Sequence, residues 1–106
     1  MFTDIVNYSK MVQSDQVLTL KLVEEHNSII KNTIKDHHGD IIKFTGDGYL
    51  IEFDSSTSAV KAAISMQNEL SQRNETQPSN HQLNIRIGIH TGDVYKEGNE
   101  LLGDGV

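Results

Sequence analysis

Cysteine is absent from this 106-residue chain, which excludes a disulfide framework, a thiol nucleophile and a Cys-based zinc site. A reducing, cytoplasmic setting is the simplest fit. No apolar run approaches the roughly 20 residues that span a bilayer, and the N-terminus lacks the basic-then-apolar order of a signal peptide. Proline occurs once, at Pro78, within a polar stretch from Arg73 to Gln82 that reads as a surface loop. Basic residues are few and scattered, 9 against 15 acidic, for a net charge of −6. That balance argues against general nucleic-acid binding, which needs a concentrated basic surface. A small anionic substrate remains compatible with it, because a bound metal ion inverts the local field.

What is present fits one domain with a modest core, 36% of the residues being apolar. Met1–Val6 reads as a strand end with Asp4 near its exit. From Ser14 to His38 the pattern is helical: Leu18, Leu22 and Ile29 lie along one line, and Val23, Ile30 and Ile34 fill the next stripe. Ser14 or Asp15 can cap this helix, and Gly39 sits where a left-handed stop is expected. Ile41–Phe44 and Tyr49–Phe53 flank Thr45-Gly46-Asp47-Gly48, a strong hairpin signal. A second helix is predicted over about Ser56–Gln72, burying Ala59, Ala63, Met66 and Leu70. Leu83–Ile89 then alternates, with Leu83, Ile85, Ile87 and Ile89 on one face and Asn84, Arg86 and Gly88 on the other. Thr91-Gly92-Asp93 turns the chain into Val94–Lys96. The order β-α-β-β-α-β-β predicts an α+β, ferredoxin-like sandwich with helices packed on a mainly antiparallel sheet. The closing Leu101-Leu102-Gly103-Asp104-Gly105-Val106 reads as the launch of a further element, so the chain reads as a fragment.

Three motifs stand in order: FTDIVNYS at 2–9, IIKFTGDGYL at 41–50 and RIGIHTGDV at 86–94. Asp4 and Asp47 are the candidates for chemistry. Two carboxylates held at strand ends beside exposed backbone N–H groups suit a divalent metal carrying phosphates. Each also has a plain reading: Asp4 as an acidic cap before a short helical segment at Asn7–Val12, and Asp47 as half of a favoured Asp-Gly turn. Lys43 reads on its own as a solvated strand lysine. His37 and His38 fit a helix C-terminus, His26 lies within a helix, His81 in the polar loop, and His90 reads as a packed strand-end residue. None of the histidines reads as a metal ligand. Arg86 and Asp93 read as structural, and Tyr8 and Phe44 as core or interface residues.

In this order the motifs resemble the catalytic domain of class III nucleotide cyclases, the adenylate and guanylate cyclase family. The resemblance covers nearly the whole chain and implies that residues 1–106 are a partial cyclase catalytic domain with an incomplete cyclase fold. It implies that Asp4 and Asp47 are metal ligands for two ions, Mg2+ or Mn2+, with the backbone carbonyl of Ile5 serving the second. The N–H groups of Val6, Asn7, Tyr8 and Ser9 would face the nucleotide phosphates. Lys43 occupies the family's base-selecting position, where Lys goes with adenine, so ATP is the implied substrate and cyclic AMP and pyrophosphate the products. Glu100 stands where an Asp or Thr is usual as the partner of that Lys, and Asn7 stands where Gly is usual. The family's transition-state Asn and Arg would follow just after Val106, so the fragment itself is expected to be inactive. The family further implies a head-to-tail homodimer with composite active sites and fusion to regulatory domains. Guanylate cyclase activity and a non-catalytic nucleotide-binding module are the alternatives.

Overall fold

The computed structural model describes residues 1–91 together with the strands Val94–Glu97 and Glu100–Gly103. Strand β1, Phe2–Ile5, leads into helix α1, Tyr8–Ser14, and then α2, Gln16–Asp36. The hairpin β2, Asp40–Phe44, and β3, Gly48–Glu52, is followed by α3, Ser56–Asn74. A single 3-10 turn at Ser79–His81 precedes β4, Ile85–Gly88. These four strands form one antiparallel sheet in the order β2-β3-β1-β4, the ferredoxin-like arrangement that the sequence predicts. Strands β5, Val94–Glu97, and β6, Glu100–Gly103, pair antiparallel as a separate ribbon. Among the described residues no helix is long and apolar enough to cross a membrane.

One face of the four-stranded sheet is covered by helices, and strand alternation decides which side chains go there. Thr3 and Ile5 are buried, whereas Phe2 on the opposite face is 56% exposed. Tyr49 and Ile51 of β3 and Ile85 of β4 share the covered face and meet Leu22, Ile30 and Ile34 of α2 and Ala62, Met66 and Leu70 of α3. Burying a side chain of this size stabilises the fold by roughly 1.5–3 kcal/mol. The alternation of β4 holds as predicted but its burial fades along the strand: Leu83 and Ile85 are buried, and Ile89, past the end of β4, is exposed.

Three local predictions change in detail. Asp15 does cap α2, accepting from the Leu18 N–H at 3.0 Å, but the same residue also ends α1, so the helical region starts at Tyr8 and breaks there. The left-handed stop of α2 is His38, with φ 57, and not Gly39. His38 N–H bonds to Lys35 O and Gly39 N–H to Ile34 O, which is a Schellman closure. Gly39 is instead needed for space, because a Cβ there would lie 2.7 Å from the Phe53 ring. On α3 it is Ala62 that is fully buried, with Ala63 half-buried on the flank; Ser55 caps this helix by accepting from Ser58 N–H.

The β2–β3 pairing contains a bulge. Ile41 stands opposite Ile51, and the next paired residue is Lys43, opposite Leu50, so Ile42 is the extra residue. Without it, Lys43 would oppose Tyr49 on the covered face. The bulge sends Lys43 to the uncovered face, in one cross-strand row with Leu50, Phe2 and Gly88.

Candidate active site

Asp4 also lies on the uncovered face, in the neighbouring row, opposite Gly48 of β3 and Arg86 of β4. It does not cap α1: the cap position is taken by Asn7, whose side chain makes no capping bond. The Asp4 carboxylate instead accepts a hydrogen bond from Arg86 Nε at 2.8 Å. The Asp4 side chain is one third exposed and that of Arg86 71% exposed, so the pair lies open to solvent.

Asp47 occupies the hairpin tip. Thr45 N–H and Oγ1 both donate to Gly48 O, at 2.9 and 3.2 Å, leaving Gly46 and Asp47 as the central residues. The residue that requires a left-handed backbone is therefore Gly46, at φ 103, rather than the glycine of the Asp-Gly pair. Ile5 N–H donates to Asp47 O at 3.1 Å, which ties the tip to the end of β1. An extended residue aims its N–H and C=O to the same side, so the Ile5 carbonyl also faces the hairpin. Asp4, the Ile5 carbonyl and Asp47 thus come from two elements to one end of the sheet. Asp4 first, and Asp47 more weakly, raise the pKa of the Arg86 guanidinium.

In the loop after β1 one of the expected phosphate donors is already engaged. Val6 N–H is consumed by Asn84 O at 2.8 Å, so it is not available to a phosphate. Asn7 adopts the left-handed conformation, φ 62 and ψ 26, that Asn tolerates better than most residues, and its carbonyl accepts from Met11 N–H. Tyr8 and Ser9 follow as the first residues of α1; Tyr8 packs partly against the core and Ser9 is exposed. Lys43 is exposed and forms no ion pair among the described residues. Glu100 opens β6 opposite Glu97, and its side chain lies outside the described residues, as do Gly92 and Asp93 of the predicted turn and the closing Asp104-Gly105-Val106.

The histidines are dispersed. His37 Nε2 lies 3.3 Å from Ser65 Oγ, His81 lends its carbonyl to Arg73, and His90 is exposed rather than packed. His26 is fully buried and stacks on Tyr49 with ring centroids 6.1 Å apart. Phe44 tilts against the same tyrosine at 4.9 Å while remaining 46% exposed. Among the described residues no group of three or more His, Cys, Asp or Glu is gathered in one place. The residue missed by sequence reasoning is Arg86. Its alternation against Ile85 and Ile87, and that of Asp4 against Thr3 and Ile5, put both off the covered face; only the strand pairing makes them neighbours.

Comparison with known proteins follows the same lines. The family model described as the adenylate and guanylate cyclase catalytic domain matches residues 1–99. A Rhizobium meliloti (strain 1021) protein provisionally named adenylate cyclase 3 is 33% identical over 104 residues, covering 97% of this chain and 18% of that protein. The Myxococcus xanthus serine/threonine-protein kinase pkn2 is 29% identical over 105 residues, covering 98% of this chain and 13% of the kinase. The crystal structure of an adenylate/guanylate cyclase/hydrolase from Silicibacter pomeroyi superposes with a TM-score of 0.86 at 31% identity, covering 97% of this chain and 60% of that one. The chain therefore spans less than a fifth of the length of these two curated relatives. With the family model matching residues 1–99 and both the Rhizobium relative and the Silicibacter structure covering 97% of it, the chain belongs to the adenylate and guanylate cyclase catalytic domain family.

Proposed function

We propose that this domain serves an adenylate cyclase, converting ATP into 3′,5′-cyclic AMP and pyrophosphate, with Asp4 and Asp47 as its metal ligands. The observation that carries the proposal is the Ile5–Asp47 backbone bond, which gathers two carboxylates and a carbonyl at one sheet end. The donor set fits the group: hard oxygen ligands suit Mg2+ or Mn2+, and the Asp4 carboxylate already attracts a cation, the Arg86 guanidinium. Asp4, Asp47 and the Ile5 carbonyl would hold the ions. Bound there, two such ions supply Lewis acidity to the attacking 3′-hydroxyl and offset charge on the departing pyrophosphate.

The chain's own contribution is orientation. Gly46, Gly48 and the Thr45–Gly48 bonds set the hairpin tip so that Asp47 stays against β1. Asn7, Tyr8 and Ser9 line the turn on the phosphate side, without Val6. Lys43, carried to the uncovered face by the bulge at Ile42, offers a donor-only ammonium. Adenine N1 accepts a hydrogen bond and guanine N1 donates one, so the ammonium favours ATP; Glu100 is its proposed partner at the base. The exposed Phe2 beside Leu50 on that same face supports assembly as a homodimer with sites shared between subunits. We read the domain as one module of a longer cytoplasmic signalling protein, a reading supported by the small share of each curated relative that it matches.

The test uses the longer signalling protein in which we place this domain, since the 106-residue chain alone is expected to be inactive; it offers ATP and GTP, each with Mg2+ or Mn2+, and separates cyclic AMP from cyclic GMP chromatographically. Cyclic AMP formation that falls about 10²-fold or more in Asp4→Asn and Asp47→Ala supports the proposal. Cyclic GMP as the main product would reverse the role given to Lys43. Nucleotide binding without turnover by a folded dimer would favour the non-catalytic module.

A further inference from the structure

We infer that Arg86 is a built-in competitor of the metal: its guanidinium holds the Asp4 carboxylate when no divalent ion is bound and must leave before the ion is fully ligated. This rests on the metal role proposed for Asp4. The two residues are direct cross-strand partners of β1 and β4, so the contact is set by sheet register and not by a loop that can drift. Arg86 Nε meets Asp4 Oδ1 at 2.8 Å, a normal charge-assisted hydrogen bond. Asp4 forms no other side-chain hydrogen bond or ion pair, so Arg86 is its sole protein partner among the described residues.

The exposure of the pair makes the competition reversible. A buried Arg–Asp pair would be costly to break, since it would strand a desolvated charge. Here the arginine is 71% exposed, and a solvated ion pair is weak. Water can take over the guanidinium as it leaves, and a compact divalent ion outbids a delocalised monovalent cation for a carboxylate. The chain carries a net charge of −6, and its two candidate ligands converge at one end of the sheet. Without metal, Arg86 offsets the repulsion that this convergence creates. The same charge that steadies the empty site therefore weakens metal binding.

The test is direct Mn2+ binding, followed by water-proton relaxation, on the wild-type chain, Arg86→Gln, Arg86→Lys, and each with Asp4→Asn added. Circular dichroism checks folding, and Arg86→Ala replaces the glutamine variant if that one does not fold. The expected result is Mn2+ binding about three- to tenfold tighter in Arg86→Gln. Arg86→Lys, which keeps the charge, should stay near wild type, and the gain should vanish once Asp4 is changed. A second readout is the melting temperature: without metal, Arg86→Gln should melt below wild type, and added Mn2+ should raise it by more than it raises wild type. Equal or weaker Mn2+ binding in Arg86→Gln, with wild type binding normally, overturns the inference while leaving the metal role intact. Mn2+ binding by neither protein overturns the metal role itself, and the inference with it.

Discussion

Gly48 packs so closely on Thr3 that a Cβ at position 48 would collide with the Thr3 carbonyl. The collision would be with the backbone of the paired strand, at the end of the β1–β3 ladder, and not with a side chain that could swing away. Gly48 is also the cross-strand partner of Asp4 and follows Asp47 directly. Gly48→Ala is therefore expected to destabilise the domain by about 2 kcal/mol or more, as overpacking against a fixed neighbour does. Because the strain acts on the β1–β3 pairing, Mn2+ binding should weaken as well. Urea unfolding and a metal titration of the variant check the two effects; a variant as stable as wild type would mean that β3 shifts without cost.

Arg73 fastens α3 to α2. Its Nε and Nη2 donate to the two carboxylate oxygens of Glu25, both at 2.8 Å, and Nη1 donates to Asn74 Oδ1 and to His81 O. The arginine side chain is only 10% exposed and the glutamate 45%. Removing Arg73 leaves several acceptors without a donor, so Arg73→Ala is expected to cost about 2 kcal/mol. Glu25→Gln should cost less than about 1 kcal/mol, since water reaches its oxygens. The Arg73 hydrogen bond holds the Glu25 carboxyl below its ordinary 4.5. The stability this adds is present above about pH 4.5 and is lost as pH falls through the folded-state value. Denaturation of both variants at pH 7 and pH 3.5 checks the ranking and the window.

Much of this was legible in the sequence because it depends on local pattern. Both long helices, the hairpin, the β4 alternation and a cap at Ser14 or Asp15 follow from period, caps and turn residues. What escaped depends on partners far along the chain. The bulge at Ile42 depends on β3 register, and it alone decides which face Lys43 takes. The loss of the Val6 N–H depends on Asn84, and the Arg86–Asp4 contact joins residues 82 positions apart. The pair of acidic candidates was visible because Asp4 stands near a strand exit and Asp47 in a hairpin turn; their neighbour Arg86 was not, because nothing around it marks it except the strand that it faces.

Tyr49 is buried in the core with a hydroxyl that has no hydrogen-bond partner among the described residues. A buried hydroxyl of that kind contributes its desolvation cost and no bond to offset it. Tyr49→Phe keeps the ring, its tilted contact with Phe44 and its stacking on His26. The variant is expected to match wild type or exceed it by up to about 1 kcal/mol, an unusual sign for a core substitution. Thermal unfolding decides it, and a loss above 1 kcal/mol would show that the hydroxyl is bonded in solution.

His26 supplies a second pH window, separate from that of Glu25. It sits at 0% exposure on α2, with Nδ1 3.0 Å from Asn27 Oδ1 and Nε2 unpartnered among the described residues. Burial pushes the imidazole below its ordinary 6.5, against the smaller upward pulls of Asn27 and Asp47. The folded domain therefore binds this proton less readily than the unfolded chain does. Stability is complete above about pH 6.5 and falls by about 1.4 kcal/mol per pH unit below it, until the folded-state value is reached. His26→Leu removes the titrating group and fills the same stripe as Leu22 and Ile30, so its unfolding free energy should be flat between pH 7 and pH 5 where that of wild type slopes. Equal slopes in the two proteins would assign the pH dependence to other groups and leave His26 as a neutral core residue at both ends of the range.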